Sequence, residues 1–288
     1  MLKIVEKKKI WFLISIAIIL VGFIAMGFKG LNFGIDFKGG TKLVVDFGGD
    51  YDKVKADSIV KGVVSDAVTN TVETSQYEVK SRDLTSGKVS ELLKNLEEDF
   101  EMPENPIVSQ EEIGASVGKD LTKNSLIALG IAFMAMLIYI AIRFEFKFGV
   151  VALIALVHDI LITLSIYAVF GISINTPFIA AILTIIGYSI NATIVIFDRI
   201  RENLKVNRRA SVDEIADKSV TQTLARSINT TLTTLFTVVA VFIFVPTVRA
   251  FTFPIIIGIV SGTFSSVLIA PSLWALIKEK SLKKKSIA

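Results

Sequence analysis

Six stretches of the chain stay apolar for about twenty residues each: 10–28, 125–142, 149–170, 178–197, 228–246 and 251–277. A bilayer core of about 30 Å needs roughly 20 helical residues to cross it, so each stretch predicts a transmembrane helix. The pattern changes over 29–122. Residues 42–47 are a short strand candidate, and 51–67 places Val54, Ile59, Val63 and Val64 at roughly helical spacing. One or two strands are expected over 71–84, then a helix over 90–100 with Leu92, Leu93 and Leu96 on one side, then a strand over 107–113. Strands and helices alternating in so short a segment predict an α+β domain with a ferredoxin-like sheet, helices on one face. Between the fourth and fifth spans, 198–227 reads as a basic loop followed by an amphipathic helix lying along the membrane surface. Ser211 and Glu214 have capping-box spacing, and Val212, Ile215, Ala216, Val220 and Leu224 recur on one side.

Composition agrees: 52% of the 288 residues are hydrophobic, too many for a soluble domain of this length. Cysteine is absent and histidine occurs once, which excludes disulfides, thiolate and zinc sites and a Ser–His–Asp triad. No metal, no cofactor, no enzymatic activity and no nucleic-acid partner are expected. Charge orients the chain. Residues 29–120 carry 18 acidic against 11 basic side chains, whereas basic residues flank the spans. Lys3, Lys7, Lys8, Lys9, Arg143, Lys147, Arg199, Arg201, Lys205, Arg208, Arg209, Lys278, Lys280, Lys283, Lys284 and Lys285 all fall on one side; the opposite connections hold only Arg249. The positive-inside rule makes both termini cytoplasmic and 29–122 extracytoplasmic in a multi-pass membrane protein. The first apolar run exceeds the 7–15 residues typical of a signal peptide, and Ala25-Met26-Gly27 is a weak cleavage site, so 1–28 reads as an uncleaved anchor. Segment 123–277 holds the other five spans, and 278–288 is a basic tail.

Polar side chains at membrane depth are costly and normally face a partner or a wet cavity. His158 and Asp159 fall in the middle of the third span. Because neighbours on a helix point about 100° apart, the two are not expected to face one partner. Asn191 shares a face of the fourth span with Thr184, Gly187 and Asp198. Arg226 stands where the fifth enters the bilayer, on a face continued by Thr230, Thr233, Thr234 and Thr237, with Asn229 nearby. Two readings stand for these residues: helix-packing glue or interfacial snorkelling, and an ion or proton pathway. Gly258 and Gly262 form a small-xxx-small packing pair on the sixth span. The run Gly114-Ala115-Ser116-Val117-Gly118-Lys119-Asp120 lacks the spacing of a phosphate-binding loop, and the sequons at Asn191 and Asn229 lie at membrane depth.

Several motifs then come together in order. Phe33-Gly34-Ile35-Asp36-Phe37-Lys38-Gly39-Gly40-Thr41 follows the first span; Ile138-Tyr139-Ile140-Ala141-Ile142-Arg143-Phe144-Glu145 ends the second; Leu156-Val157-His158-Asp159 lies in the third. Gly187-Tyr188-Ser189-Ile190-Asn191 and Ile196-Phe197-Asp198-Arg199-Ile200-Arg201-Glu202-Asn203 end the fourth. Leu224-Ala225-Arg226-Ser227-Ile228-Asn229-Thr230-Thr231 opens the fifth, and 258–266 runs through the sixth. Over essentially its whole length the chain resembles the SecF family, the smaller partner of SecD in bacterial protein export, within the resistance-nodulation-division superfamily. The resemblance implies a membrane all-α six-helix bundle, half of a pseudo-twofold twelve-helix unit, with the extracytoplasmic α+β domain inserted. It implies SecD, the SecYEG channel, a translocating preprotein and membrane lipid as partners, with YidC and YajC beside them, and proton flow that moves the outer domains. Asp36, Phe37, Gly39 and Gly40 match the family motif where the outer domain begins, and Gly187 is expected to pack helices. Arg226 matches the family's intramembrane arginine. Where many relatives carry Asn-Asp-Thr, this chain has Asn191-Ala192-Thr193, so the titrating acid must come from SecD or Asp159, or coupling is weak. A small-molecule exporter half and a passive scaffold for SecYEG are the alternative functions.

Overall fold

The computed structural model describes residues 2–287 other than Glu73, Phe144 and Arg208. The motif residue Phe144, the loop cation Arg208 and the side chains of Lys283, Lys284 and Lys285 therefore lie outside the described residues. Helix α1 (Lys8–Lys29) leads through a short helix α2 (Ile35–Lys38) into β1 (Gly40–Asp46), α3 (Lys53–Val63), β2 (Val68–Thr71), β3 (Gln76–Ser81), α4 (Ser86–Asp99) and β4 (Ile107–Ile113). The chain then returns through α5 (Ala115–Arg143), α6 (Phe146–Phe170), α7 (Thr176–Val206) and α8 (Val212–Phe244). The last span runs through α9 (Arg249–Phe264), a wide π turn (Ser265–Ile269) and α10 (Ala270–Ile287). Among the described residues six helices are long and apolar enough to cross a membrane.

Three boundaries differ from the sequence expectation, each for a local reason. Helix α5 begins ten residues before its apolar run, because 115–124 contains no proline and its one glycine, Gly118, meets the backbone of α2. The expected surface helix and the fifth span are one rod: no glycine or proline interrupts 212–244, so the helix continues unbroken. Helix α7 likewise runs past its apolar part, which shrinks the expected loop 198–227 to 207–211. The capping box closes that loop: Glu214 N–H donates to Ser211 Oγ at 3.2 Å, and Ser211 N–H to Glu214 Oε2 at 3.3 Å.

The four strands form an antiparallel sheet in the order β2-β3-β1-β4. Alternation puts Leu43, Val45, Tyr77 and Val79 on one face, where Ala56 and Val60 of α3 and Leu92 and Leu96 of α4 cover them. Asp52 caps α3, accepting from the N–H groups of Val54 and Lys55. In the bundle, α6, α7 and the last span are central, and Phe148 stacks on Trp274 with ring centroids 5.5 Å apart. Helices α1, α5 and α8 lie outside them and expose broad apolar faces, including Leu13, Ile131 and Phe236.

The sheet is fastened to the bundle at one end. Gly34 N–H donates to Ile174 O at 2.9 Å and Ile174 N–H to Asn32 O at 2.8 Å, so the strand leaving α1 pairs with the connection between α6 and α7. Asp36 Oδ2 accepts from Thr176 N–H at 2.8 Å, satisfying a free donor in the first turn of α7. Gly39 (φ 81°) and Gly40 (φ 141°) then turn the chain into β1. A Cβ on Gly40 would stand 2.6 Å from Ser81 O.

Candidate functional site: a buried carboxylate and an exposed polar stripe

Asp159 is wholly buried where α6, α7 and the last span meet. Its Oδ2 lies 2.6 Å from Ser189 Oγ on α7 and 2.9 Å from Ser265 Oγ at the start of the π turn. Its Oδ1 lies 2.8 Å from Ser261 Oγ and 3.0 Å from His158 Nδ1. As a carboxylate it only accepts, so four donors converge on it and offset the cost of burying the group in an apolar interior. His158 Nε2 reaches Ser15 Oγ of α1 at 2.8 Å, and the ring stacks on Phe264. The helical offset does send His158 toward α1 and Asp159 toward α7, so they share no third partner. They nevertheless bond each other, which the 100° argument did not anticipate. The network therefore ties α1, α6, α7 and the last span through one acid.

Glycines make this junction possible. A Cβ on Gly258 would lie 2.3 Å from Ile185 Cγ1, and one on Gly262 would lie 3.1 Å from Ser189 Cβ and 3.5 Å from Asp159 Oδ2. Gly22 of α1 meets Ser165 of α6 in the same way. Gly187 does not: among the described residues nothing stands within 4 Å of its Cβ position, so it meets no neighbouring helix there. The four serines around His158 and Asp159 escaped the sequence reading. The signal available was their spacing, Ser261 and Ser265 four residues apart on one helical face.

Arg226 is placed quite differently. It is exposed on α8, and among the described residues its guanidinium makes no ion pair or hydrogen bond. Asn229, Thr230, Thr233 and Thr237 continue the exposed stripe. The threonine hydroxyls are satisfied within the helix: Thr230, Thr233, Thr234 and Thr237 donate to carbonyls four residues earlier at 2.9–3.0 Å. Arg226 and the amides have no such outlet. On α7, Thr184 and Asn191 are also exposed. Arg199 Nε donates to Gln222 Oε1 at 2.7 Å, which fixes the antiparallel register of α7 on α8. Asp198, two turns beyond Asn191 on α7, pairs with Arg201 at 3.0 Å and Arg143 at 3.6 Å.

These features define a polytopic membrane protein with an α+β insert after its first helix, one self-contained polar junction and one polar surface left open at membrane depth. The family model "Protein export membrane protein SecD/SecF, C-terminal" matches residues 88–280, and "SecD/SecF GG Motif" matches 24–50. The protein translocase subunit SecF of Acidaminococcus fermentans is 37% identical over 289 residues, covering 96% of this chain and 97% of its own. That of Haemophilus influenzae is 34% identical, covering 91% and 82%. The crystal structure of SecDF, a translocon-associated membrane protein, from Thermus thermophilus superposes with a TM-score of 0.84 at 29% identity over 96% of this chain. The chain spans 39% of that longer protein. It belongs to the SecD/SecF family of protein-export membrane proteins.

Proposed function

We propose that this chain works as the SecF-type half of a SecD–SecF pair, using the proton motive force to draw preproteins outward through SecYEG. The observation that carries this reading is Arg226. A permanently charged guanidinium on the exposed face of a membrane span has no anion in its own chain among the described residues. Asp159 does not supply one, because its four hydrogen bonds go to His158 and three serines in the interior. With Ala192 in place of the acid many relatives carry, a carboxylate from SecD is the partner this geometry favours. Protonating that carboxylate would break the pair and let the two bundles repack, a bistable element biased by proton binding. One charge crossing the field gains about 2.3 kcal/mol per 100 mV, enough to bias it.

The same reading puts both termini and 207–211 in the cytoplasm and the sheet outside, because the cations gather at the end away from the sheet. The βαββαβ order with sheet order β2-β3-β1-β4 supports the ferredoxin-like description. The test is translocation of a secretory protein into inverted vesicles, with and without an uncoupler. Arg226→Met is expected to remove the uncoupler-sensitive increment while ATP-driven translocation and co-purification with SecD survive. A full increment in the variant would make Arg226 a snorkelling anchor; loss of the complex would make it structural glue.

A further inference from the structure

A cleft of about 940 Å³ separates the open face of the sheet from the sheet-side end of the bundle. One wall is β1, β2 and β3, on the face that α3 and α4 leave bare; the other is the connection after α6 together with 246–253. Strand β2 is an edge strand, and the whole of it, Val68–Thr71, lines the cleft. Val72 N–H bonds Gln76 O at 3.0 Å, so antiparallel alternation turns the backbone groups of Asn70 and Val68 toward β3. The N–H and C=O groups of Thr69 and Thr71 therefore face the open edge, and among the described residues no strand pairs with it.

The charge of this cleft runs against that of its domain. Segment 29–120 has 18 acidic and 11 basic residues. The cleft has six cations, among them Lys38, Lys42 and Arg249, against two carboxylates, Asp66 and Glu78. Lys42 and Lys80 hold Glu78 at 4.0 and 2.8 Å, Arg82 pairs with Asp66 at 3.7 Å and Lys53 with Asp57 at 2.9 Å, which leaves Lys38 and Arg249 as the cleft cations without a carboxylate partner among the described residues.

We infer that this cleft binds an extended, unfolded polypeptide segment of neutral or acidic character, added as a fifth strand along β2. An unpaired edge supplies main-chain hydrogen bonds that are indifferent to side-chain identity, and the surplus of cations selects against basic segments. A site of this kind suits a chain handled while unfolded. The inference rests on the export reading and deepens it by naming where substrate touches this subunit.

The test uses inverted vesicles carrying the full complex and a secretory precursor arrested in translocation. A photo-crosslinking phenylalanine analogue replaces Asn70, inside the cleft, or Glu91, exposed on α4 away from it. Precursor should crosslink at position 70 and not at 91. Thr71→Pro removes one outward N–H without touching the ladder to β3, and should cut the crosslink roughly fivefold, the worth of one backbone hydrogen bond. Thr71→Val removes the hydroxyl bonded to Tyr51 but keeps the N–H, and should leave the crosslink unchanged. Equal crosslinking at 70 and 91, the same yield in Thr71→Pro as in wild type, or lipid as the crosslinked species would each overturn the inference. If those occur while the uncoupler-sensitive increment persists, the cleft fails and the export reading stands; loss of that increment from wild-type vesicles would sink the export reading itself.

Discussion

Replacing Asp159 with alanine removes the acceptor of four hydrogen bonds, three from serines and one from His158. In membrane interiors such bonds average about 0.6 kcal/mol each, with about 1.7 kcal/mol at the top of the range. Four of them give roughly 2.4 kcal/mol. The lost carboxyl leaves a void on the order of 25 Å³, adding about 0.6 kcal/mol at 24 cal/mol per Å³. Relaxation works the other way, since Ser265 Oγ already lies 3.2 Å from Gly262 O and can turn fully toward it. The expected loss is therefore about 3 kcal/mol for Asp159→Ala. Asp159→Asn keeps the volume and one acceptor oxygen, and its NH₂ can donate to a serine that rotates to accept; about 1 kcal/mol is expected. The assay is SDS-titrated unfolding of the purified full chain in micelles, followed by circular dichroism. If Asp159→Ala unfolds within about 0.5 kcal/mol of wild type, the network does not hold the junction. If Asp159→Asn is as damaging as Asp159→Ala, negative charge rather than hydrogen bonding matters there, and the reasoning fails.

Gly40→Val forces a β-branched residue to φ 141° and drives its Cβ toward Ser81 O; on the order of 3 kcal/mol of strain should unfold or misorient the sheet. Protease sensitivity confined to 29–122, with the bundle intact, checks this. Gly258→Leu overpacks α9 against Ile185 and should cost about 1–3 kcal/mol in the same SDS titration, whereas Gly187→Leu should leave the isolated chain unchanged and weaken pairing with SecD. The Asp57 carboxyl feels desolvation that would raise its pKa, but hydrogen bonds from Thr69, Tyr77 and Lys53 outweigh it and hold the carboxyl below its ordinary value of 3.8. A depressed acid contributes stability that is complete above the unfolded value and lost as pH falls through the folded one. Acid unfolding of the sheet domain should therefore be less steep below about pH 4 in Asp57→Asn, read by tyrosine fluorescence.

Element type along this chain was legible because two different periods separate the membrane part from the insert. Runs of about twenty apolar residues admit no other soluble or membrane element, and the strand expected over 107–113 matches β4 to the residue. Ends of helices were less legible. Hydropathy marks where a helix is apolar, not where it stops, and only a breaker or cap stops it. Ser211 is such a cap; the polar turns 198–206 and 115–124 contain no proline, Gly118 is held against α2, and the helices run through them.

Which polar residue faces inward was not legible at all. In a soluble protein, apolar faces point to the core, so periodicity fixes the inside. In a membrane, lipid is as apolar as the core, and Leu13 on the outside reads like Leu156 within. Asp159 and Arg226 therefore looked alike: both ionisable, both at membrane depth, both candidates for one pathway. Their surroundings divide them. Around Asp159 every donor comes from the same chain, and the junction closes without help. Around Arg226 the threonines close on their own backbone, and among the described residues the cation has no partner. A charge that its own chain leaves uncompensated at that depth calls for a second chain. On the proposed export reading, a proton-sensitive element is thus better sought where Arg226 meets a second chain than inside this bundle.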